Sequence, residues 1–315
     1  MILKKENIDL SIIVPLYNEE ECIQPLYDAV VQSIEPLHLN YEILFVDDGS
    51  KDATFSKSRE LAGKDNHLRV IKFRKNYGQT AGMAAGIDHA RGKILVTMDG
   101  DLQNDPSDIP KLLKMIDEGN DVVCGWRYKR QDKLITRKIP SVVANWIIGK
   151  ITGVPIKDNG CSLKAYKAEV IKGIPLYSDM HRFIPAMSSL AGTQVAELKV
   201  NHHARKFGVS KYGITRIYKV IIDLLVIKTI LSFVSKPLRL FGIGAGISLV
   251  AGLLILIGAF SNVFGGNSGI NFMMASGALL FFILSFFLVM VGLICELVNK
   301  TGSPRNFAHI KMRVE

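Results

Sequence analysis

Ile94-Leu-Val-Thr-Met-Asp-Gly-Asp-Leu-Gln103 is the stretch whose reading decides the fold. The apolar run from Ile94 to Met98 predicts a parallel strand buried on both faces. It ends in two carboxylates one residue apart, Asp99 and Asp101, with Gln103 at the next alternate position. Residues just past the C-terminal end of such a strand enter the crevice where open α/β sheets bind ligands. Hard oxygen donors there suit Mg2+ or Mn2+, which use one or two carboxylates together with substrate phosphates. The plainer alternative for an isolated Asp-x-Asp is a helix-capping Asp101 beside a solvated turn.

Outward from that strand, the N-terminal half alternates strand-like and helix-like segments, the pattern of a parallel sheet with covering helices. Leu10 to Val14 reads as a first strand ending in Pro15-Leu-Tyr-Asn-Glu19, and Glu42 to Val46 as a second ending in Asp47-Asp-Gly-Ser-Lys-Asp52. Leu68 to Phe73 reads as a third, and Asp121 to Gly125 as a fifth, running into Trp126-Arg-Tyr-Lys-Arg130. Gly78, Gly82 and Gly86 fall on one helix face, where glycines four apart let a helix lie close to a neighbour; the spacing is not that of a P-loop. Further on, Asp158-Asn-Gly-Cys-Ser-Leu-Lys-Ala-Tyr166 predicts a polar loop entering a strand, and Thr193 to Val200 another strand.

The C-terminal third is of a different kind. From Leu240 to Cys295, 56 residues pass without one Asp, Glu, Lys, Arg or His. About 20 residues cross a bilayer core, so the length suits two spans, near 240–262 and 271–295, broken by a Gly/Asn/Ser turn cluster. Lys and Arg flank the pair on both outer sides and are absent from the loop, which places both chain ends in the cytoplasm of a plasma membrane. Met1 to Asp9 is polar, and no signal peptide is expected. Nine Lys/Arg against two acids lie between Glu197 and Arg239, within a net charge of +10. That location favours lipid phosphate over nucleic acid as the partner. Residues 214–239 are expected to form amphipathic helices in the interface, and residues 297–315 a cytoplasmic basic tail. The four cysteines have no paired spacing and read as reduced thiols without zinc.

Pro15-x-Tyr-Asn-Glu19, Val46-Asp-Asp-Gly-Ser50, Asp99-Gly-Asp-Leu-Gln103, Gly125-x-Arg127 and Arg205-x-x-Gly-x-Ser-Lys211 occur in that order. In these motifs the chain resembles the inverting family-2 glycosyltransferases of the GT-A fold, over about residues 8–235. Within them it is similar to the polyprenyl-phosphate branch, the dolichol-phosphate mannose synthases and bacterial bactoprenol glucosyltransferases, and the membrane pair fits the latter. The resemblance implies an α/β GT-A catalytic domain over 1–213, juxtamembrane helices over 214–239 and a transmembrane hairpin over 240–296. It implies that Pro15, Tyr17 and Glu19 line a nucleotide pocket and that Val46 and Asp48 contact base and ribose. Asp99, Gly100 and Asp101 would meet ribose and diphosphate, with Asp101 and Gln103 (Asp99 beside them) holding the metal. Arg127, Arg205 and Lys211 would bind phosphate of donor or acceptor. Gly100 stands where Ala is frequent in the family.

Such a site needs its leaving diphosphate neutralised, by Mg2+ or Mn2+ and by cations. A lipid monophosphate, with a second pKa near ~6, is already an anionic nucleophile and needs positioning more than a base. Arg127, Arg130, Arg137, Arg205 and Lys211 supply cations; the one further carboxylate is Asp158, read as orienting the acceptor, aiding proton transfer, or only forming a turn. Attack from the far face would invert the anomeric centre. UDP-glucose and undecaprenyl phosphate are the expected substrates, for modification of a cell-envelope glycan. GDP-mannose with a dolichol-type phosphate, or a non-catalytic nucleotide-sugar-binding scaffold, are the alternatives. A processive polysaccharide synthase would carry Gln-x-x-Arg-Trp and more spans. Gly242, Gly244 and Gly246 in the first span permit a homo-oligomer.

Overall fold

The computed structural model describes residues 8–128, 149–150, 153–174, 176, 180–190, 192–205, 237–264 and 271–301. They divide into two compact units, one α/β within Met1–Asp223 and one helical within Leu224–His309.

Strands β1 (Leu10–Leu16), β2 (Tyr41–Asp47), β3 (Leu68–Lys72) and β4 (Ile94–Thr97) alternate with helices α1 (Ile23–Ile34), α2 (Thr54–Ala62) and α3 (Gln79–His89). Then follow α4 (Ile109–Asp117), β5 (Val122–Arg127), β6 (Lys164–Lys167), α5 (Ala168–Ile171), α6 (Ile184–Leu190) and β7 (Val195–Val200). The sheet order is β3-β2-β1-β4-β6-β5-β7. Strands β1 to β4 are mutually parallel, and β6 is antiparallel to both β4 and β5. Because β6 is reversed, β5 and β7 run with β1–β4, and their C-terminal ends share one rim with the start of β6. The chain reverses its direction of travel across the sheet between β1 and β4, the switch point where such sheets open a crevice.

Both faces of the central strands are buried, which is why their sequences are continuously apolar rather than alternating. On one face Ile12, Val14, Phe45 and Val96 pack with Leu26 and Val30 of α1 and with Leu112 and Ile116 of α4. On the other, Ile13, Leu44 and Leu95 pack with Met83 and Ile87 of α3 and with Ile184 and Met187 of α6. Helix α4 buries Ile109, Leu112, Leu113 and Ile116, one stripe at helical spacing. Helix α3 approaches the sheet through its glycines: a Cβ at Gly86 would lie 2.3 Å from Ile13 Cγ2, and one at Gly82 3.2 Å from Pro15 Cβ. The close-packing reading holds for Gly82 and Gly86 but not for Gly78, which precedes the helix at φ 96° with nothing within 4 Å of its Cβ position.

At the opposite end of the strands, Glu42 is buried in β2. It accepts hydrogen bonds from Ser11 Oγ (2.8 Å), Arg91 N (2.6 Å) and Arg69 Nη1 (2.7 Å). Burial works to raise its pKa, but the bonds from Arg69, Arg91 and Ser11 outweigh it and hold the carboxyl low.

The helical unit contains α7 (Pro237–Phe264) and α8 (Phe272–Thr301), each long and apolar enough to cross a membrane, over Pro237–Phe260 and Phe272–Val298. Both exceed the expected spans by a few residues, and α8 runs into the stretch expected to begin the tail. They pair antiparallel: a Cβ at Gly252 would meet Phe282 at 2.8 Å, one at Gly244 Leu288 at 3.5 Å. Ser285 Oγ donates to the Ala245 carbonyl at 2.9 Å. Ile243, Ile247, Leu254, Ile257, Phe286 and Phe287 face outward and exposed, as a lipid-facing surface requires. The amphipathic stretch, as far as residue 236, and residues 302–315 lie outside the described residues.

Candidate active site

Two loops at the C-terminal rim are laced together. After β1, Asn18 N donates to Ser50 Oγ at 2.9 Å and Lys51 N to Asn18 Oδ1 at 2.9 Å. Glu19 N donates to Thr54 Oγ1 at 2.9 Å. Asn18 takes φ 50°, a left-handed conformation that Asn tolerates. These bonds fix the Pro15–Glu19 segment beside the end of β2, with Pro15, Tyr17 and Glu19 partly exposed.

The two aspartates ending β2 have separate tasks. Asp48 accepts from Tyr77 N (2.7 Å) and Gly78 N (2.8 Å), so it holds the turn into α3. Burial, with the charge of Asp47, raises its pKa against those bonds. Asp47 Oδ1 accepts from Ser50 N at 3.2 Å, while its buried Oδ2 has no partner among the described residues. The sequence reading chose Asp48; the unsatisfied oxygen is on Asp47. The Val46 side chain is fully buried, its Cγ2 beneath the Gly86 position of α3.

Beyond β4, Asp99 Oδ1 accepts from Gln79 Nε2 at 2.5 Å, and Asp99 N donates to Asn104 Oδ1 at 3.1 Å. Burial first, then the neighbouring charge of Asp101, pushes the Asp99 pKa up to about 6. Asp101 Oδ1 accepts from Gln103 N at 3.2 Å, closing a turn in which Leu102 takes φ 60°. That conformation is strained for a branched residue. Gly100 is packed against β1, where a Cβ would lie 2.3 Å from Leu16 Cδ2. Gln103 Nε2 donates to the His203 carbonyl at 3.4 Å.

Arg205 spans the crevice, with Nη2 2.7 Å from Asp101 Oδ2 and Nη1 3.6 Å from Glu19 Oε1. Arg127 and Asp158 meet each other in a two-point pair, Nε to Oδ2 at 2.7 Å and Nη2 to Oδ1 at 2.8 Å. The Arg127 backbone N adds a third bond to Asp158 Oδ2 at 3.3 Å. A carboxylate so committed to a guanidinium is a weak proton acceptor. Thus the structure gathers Pro15, Tyr17, Glu19, Asp48, Asp99, Gly100, Asp101, Gln103, Arg127, Asp158 and Arg205 on one rim. Lys211, Arg130 and Arg137 lie outside the described residues.

Asp99 and Asp101 fit a hard divalent cation. They are two carboxylates in one crevice, and the cost of their mutual charge is visible at Asp99. Among the described residues no third His, Cys, Asp or Glu joins them in a closed cage. Such a site leaves coordination positions to substrate oxygens, the usual habit of Mg2+.

Sequence reading missed Gln79, which fixes Asp99, and Asn104, which ties Asp99 N to Ser162 Oγ (2.9 Å). It also missed the burial of Lys164, read only as part of a strand.

A family model described as glycosyl transferase family 2 matches residues 11–173. The dodecaprenyl-phosphate galacturonate synthase of Rhizobium johnstonii is 41% identical over 302 residues, covering 94% of this chain and 89% of that protein. The undecaprenyl-phosphate 4-deoxy-4-formamido-L-arabinose transferase of Proteus mirabilis is 34% identical over 294 residues, covering 92% and 88%. Among solved structures, glucosyl-3-phosphoglycerate synthase from Mycobacterium tuberculosis, in complex with Mn2+, UDP-glucose and phosphoglyceric acid, shares the fold. Its TM-score is 0.56 at 19% identity, over 71% of this chain and 81% of that one.

Proposed function

The chain belongs to glycosyl transferase family 2, and on that premise we propose that it transfers galacturonate from a UDP-sugar to a membrane-borne polyprenyl phosphate. The observation that carries this reading is the 41% identity to a polyprenyl-phosphate galacturonate synthase over 94% of the chain, hairpin included. It replaces the expected glucose: neither curated relative described above is named for that sugar.

In this reading an oxygen of the lipid phosphate attacks the anomeric carbon as the bond to the UDP oxygen breaks, inverting the centre and releasing UDP. The nucleophile is anionic at neutral pH and needs no general base. Asp158 accordingly serves as the anchor of Arg127, and Arg127 as the cation that the pair holds in place. Asp47 Oδ2 offers a buried acceptor to an N–H or O–H of the nucleoside. Arg205 leaves Asp101 as diphosphate arrives and follows the phosphate charge. Asp99 and Asp101, with Gln103 at the rim, would hold a divalent cation, which when bound would supply Lewis-acid stabilisation of the leaving diphosphate. Helices α7 and α8 anchor the enzyme where a polyprenyl chain presents its headgroup, with both chain ends cytoplasmic.

A donor screen tests this. Membranes carrying the enzyme are given polyprenyl phosphate and, in parallel, UDP-galacturonate, UDP-glucose, UDP-4-deoxy-4-formamido-arabinose or GDP-mannose, with mass spectrometry of the lipid fraction. A hexuronosyl phosphate lipid from UDP-galacturonate is expected; its absence, with another donor productive, reassigns the sugar. No lipid product from any donor would leave the scaffold reading.

A further inference from the structure

The segment that follows β7 lies along the loop that follows β4, and every second residue of it meets a carboxylate there. Asn201 N donates to Asp108 Oδ2 at 2.7 Å, and Asn201 Nδ2 to Asp105 Oδ2 at 3.1 Å. His203 Nε2 lies 3.3 Å from the same Asp105 oxygen, and Arg205 Nη2 lies 2.7 Å from Asp101 Oδ2. The backbones join as well: His203 N donates to the Gln103 carbonyl at 2.9 Å, and Asn104 and His202 form an antiparallel bridge. Spacing by two is that of an extended chain, whose alternate side chains share a face. Residues 201–205 are therefore a strap along the loop that carries Asp101 and Gln103.

The last contact of this strap falls on the oxygen that the chemistry needs. Asp101 Oδ1 accepts from Gln103 N at 3.2 Å, inside its own turn, and Oδ2 holds Arg205. Arg205 also reaches Glu19 Oε1 at 3.6 Å, so one guanidinium joins the segments that follow β1, β4 and β7. A divalent cation gathered by Asp99 and Asp101 needs an oxygen of Asp101. A guanidinium bonded to that oxygen opposes the cation twice, by taking the lone pair and by its like charge. Asn201 and His203 bond to Asp105 and Asp108, which have no place in the proposed reaction, so Arg205 alone has to move.

We propose that Arg205 is a latch: it keeps Asp101 closed to the cation until a diphosphate draws the guanidinium away, so that cation and nucleotide load as a pair. This rests on the reading of Asp99 and Asp101 as the cation site and of Arg205 as a phosphate ligand, and adds the competition between them. The fork of an Arg matches phosphate oxygens as well as a carboxylate. Arrival of the diphosphate frees Oδ2 and brings oxygens of its own to the cation. By linkage, the cation raises nucleotide affinity by the same factor as the nucleotide raises cation affinity. Part of that factor belongs to Arg205, and the rest to direct contact between cation and diphosphate.

The test measures Mn2+ binding to the full chain in detergent, by the electron paramagnetic resonance of free Mn2+, with and without UDP. Wild type, Arg205→Met and Arg205→Lys are compared, with thermal midpoints recorded to show that each is folded. Without nucleotide, Arg205→Met is expected to bind Mn2+ about tenfold more tightly, within the usual range of a coupling between sites. Arg205→Lys gains less, and UDP strengthens Mn2+ binding less in Arg205→Met than in wild type. Hydrogen exchange separates a latch from a through-space charge effect: Mn2+ alone should speed exchange over residues 201–205 in wild type and leave it unchanged in Arg205→Met. Nucleotide-free Mn2+ affinity that stays the same or falls in Arg205→Met overturns the proposal. So does a gain in affinity while exchange over 201–205 in wild type ignores Mn2+. If no variant binds Mn2+ even with UDP, the cation-site reading fails first and this one with it; the sugar assignment is untouched, since no sugar is present.

Discussion

Asp158 and Arg127 show how a pairing across 31 residues changes what a side chain does. Read alone, Asp158 is a candidate base and Arg127 a candidate phosphate ligand; bonded at two points, the carboxylate is a holder of the guanidinium. Asp158→Asn is therefore expected to leave Arg127 buried and unpaired, costing about 3 kcal/mol of stability, read as a lowered thermal midpoint. Its turnover should fall while the pH–rate profile keeps its shape. Loss of an acidic limb from that profile would restore Asp158 as a base. At Glu42 the sign of the pH effect follows from a depressed folded pKa. Its contribution is complete above the unfolded glutamate value and is lost as pH falls through the lower folded value. Glu42→Gln should cost about 2 kcal/mol at neutral pH and flatten acid denaturation below about pH 4, measured by urea melts across pH.

Strands β1, β2 and β4 were legible in the sequence because burial on both faces leaves an unbroken apolar run. The ends of those strands were legible because chemistry-bearing residues cluster just past them. Which of two adjacent aspartates keeps an open oxygen was not: Asp48 is spent on the turn into α3, and Oδ2 of Asp47 stays unbonded among the described residues. Helix α3 ties these levels together: its glycines set its height over β1, and its first turn holds Asp99 and His181. Gly86→Ala forces a methyl into Ile13 and is expected to destabilise by about 1–3 kcal/mol. A chemical denaturation midpoint checks it, and an unchanged midpoint would mean that the contact is slack.

At the scale of the whole molecule, a rim of carboxylates and guanidiniums belongs to the same chain as two helices long and apolar enough to cross a membrane, with outward-facing apolar side chains. On the proposed reading these helices anchor the enzyme beside its acceptor, so truncation before Leu240 should depress turnover on membrane-embedded acceptor while leaving UDP affinity within about twofold. Equal losses in both would argue that the hairpin supports the catalytic unit itself. The central claim is that a bilayer-borne phosphate displaces UDP from the sugar. Purified enzyme given labelled UDP-galacturonate, polyprenyl phosphate and Mg2+ or Mn2+ should move label into an organic-phase lipid in step with UDP release, and a chelator should stop both. Label transferred only to water or to soluble glycans, or transfer indifferent to the chelator, would contradict it.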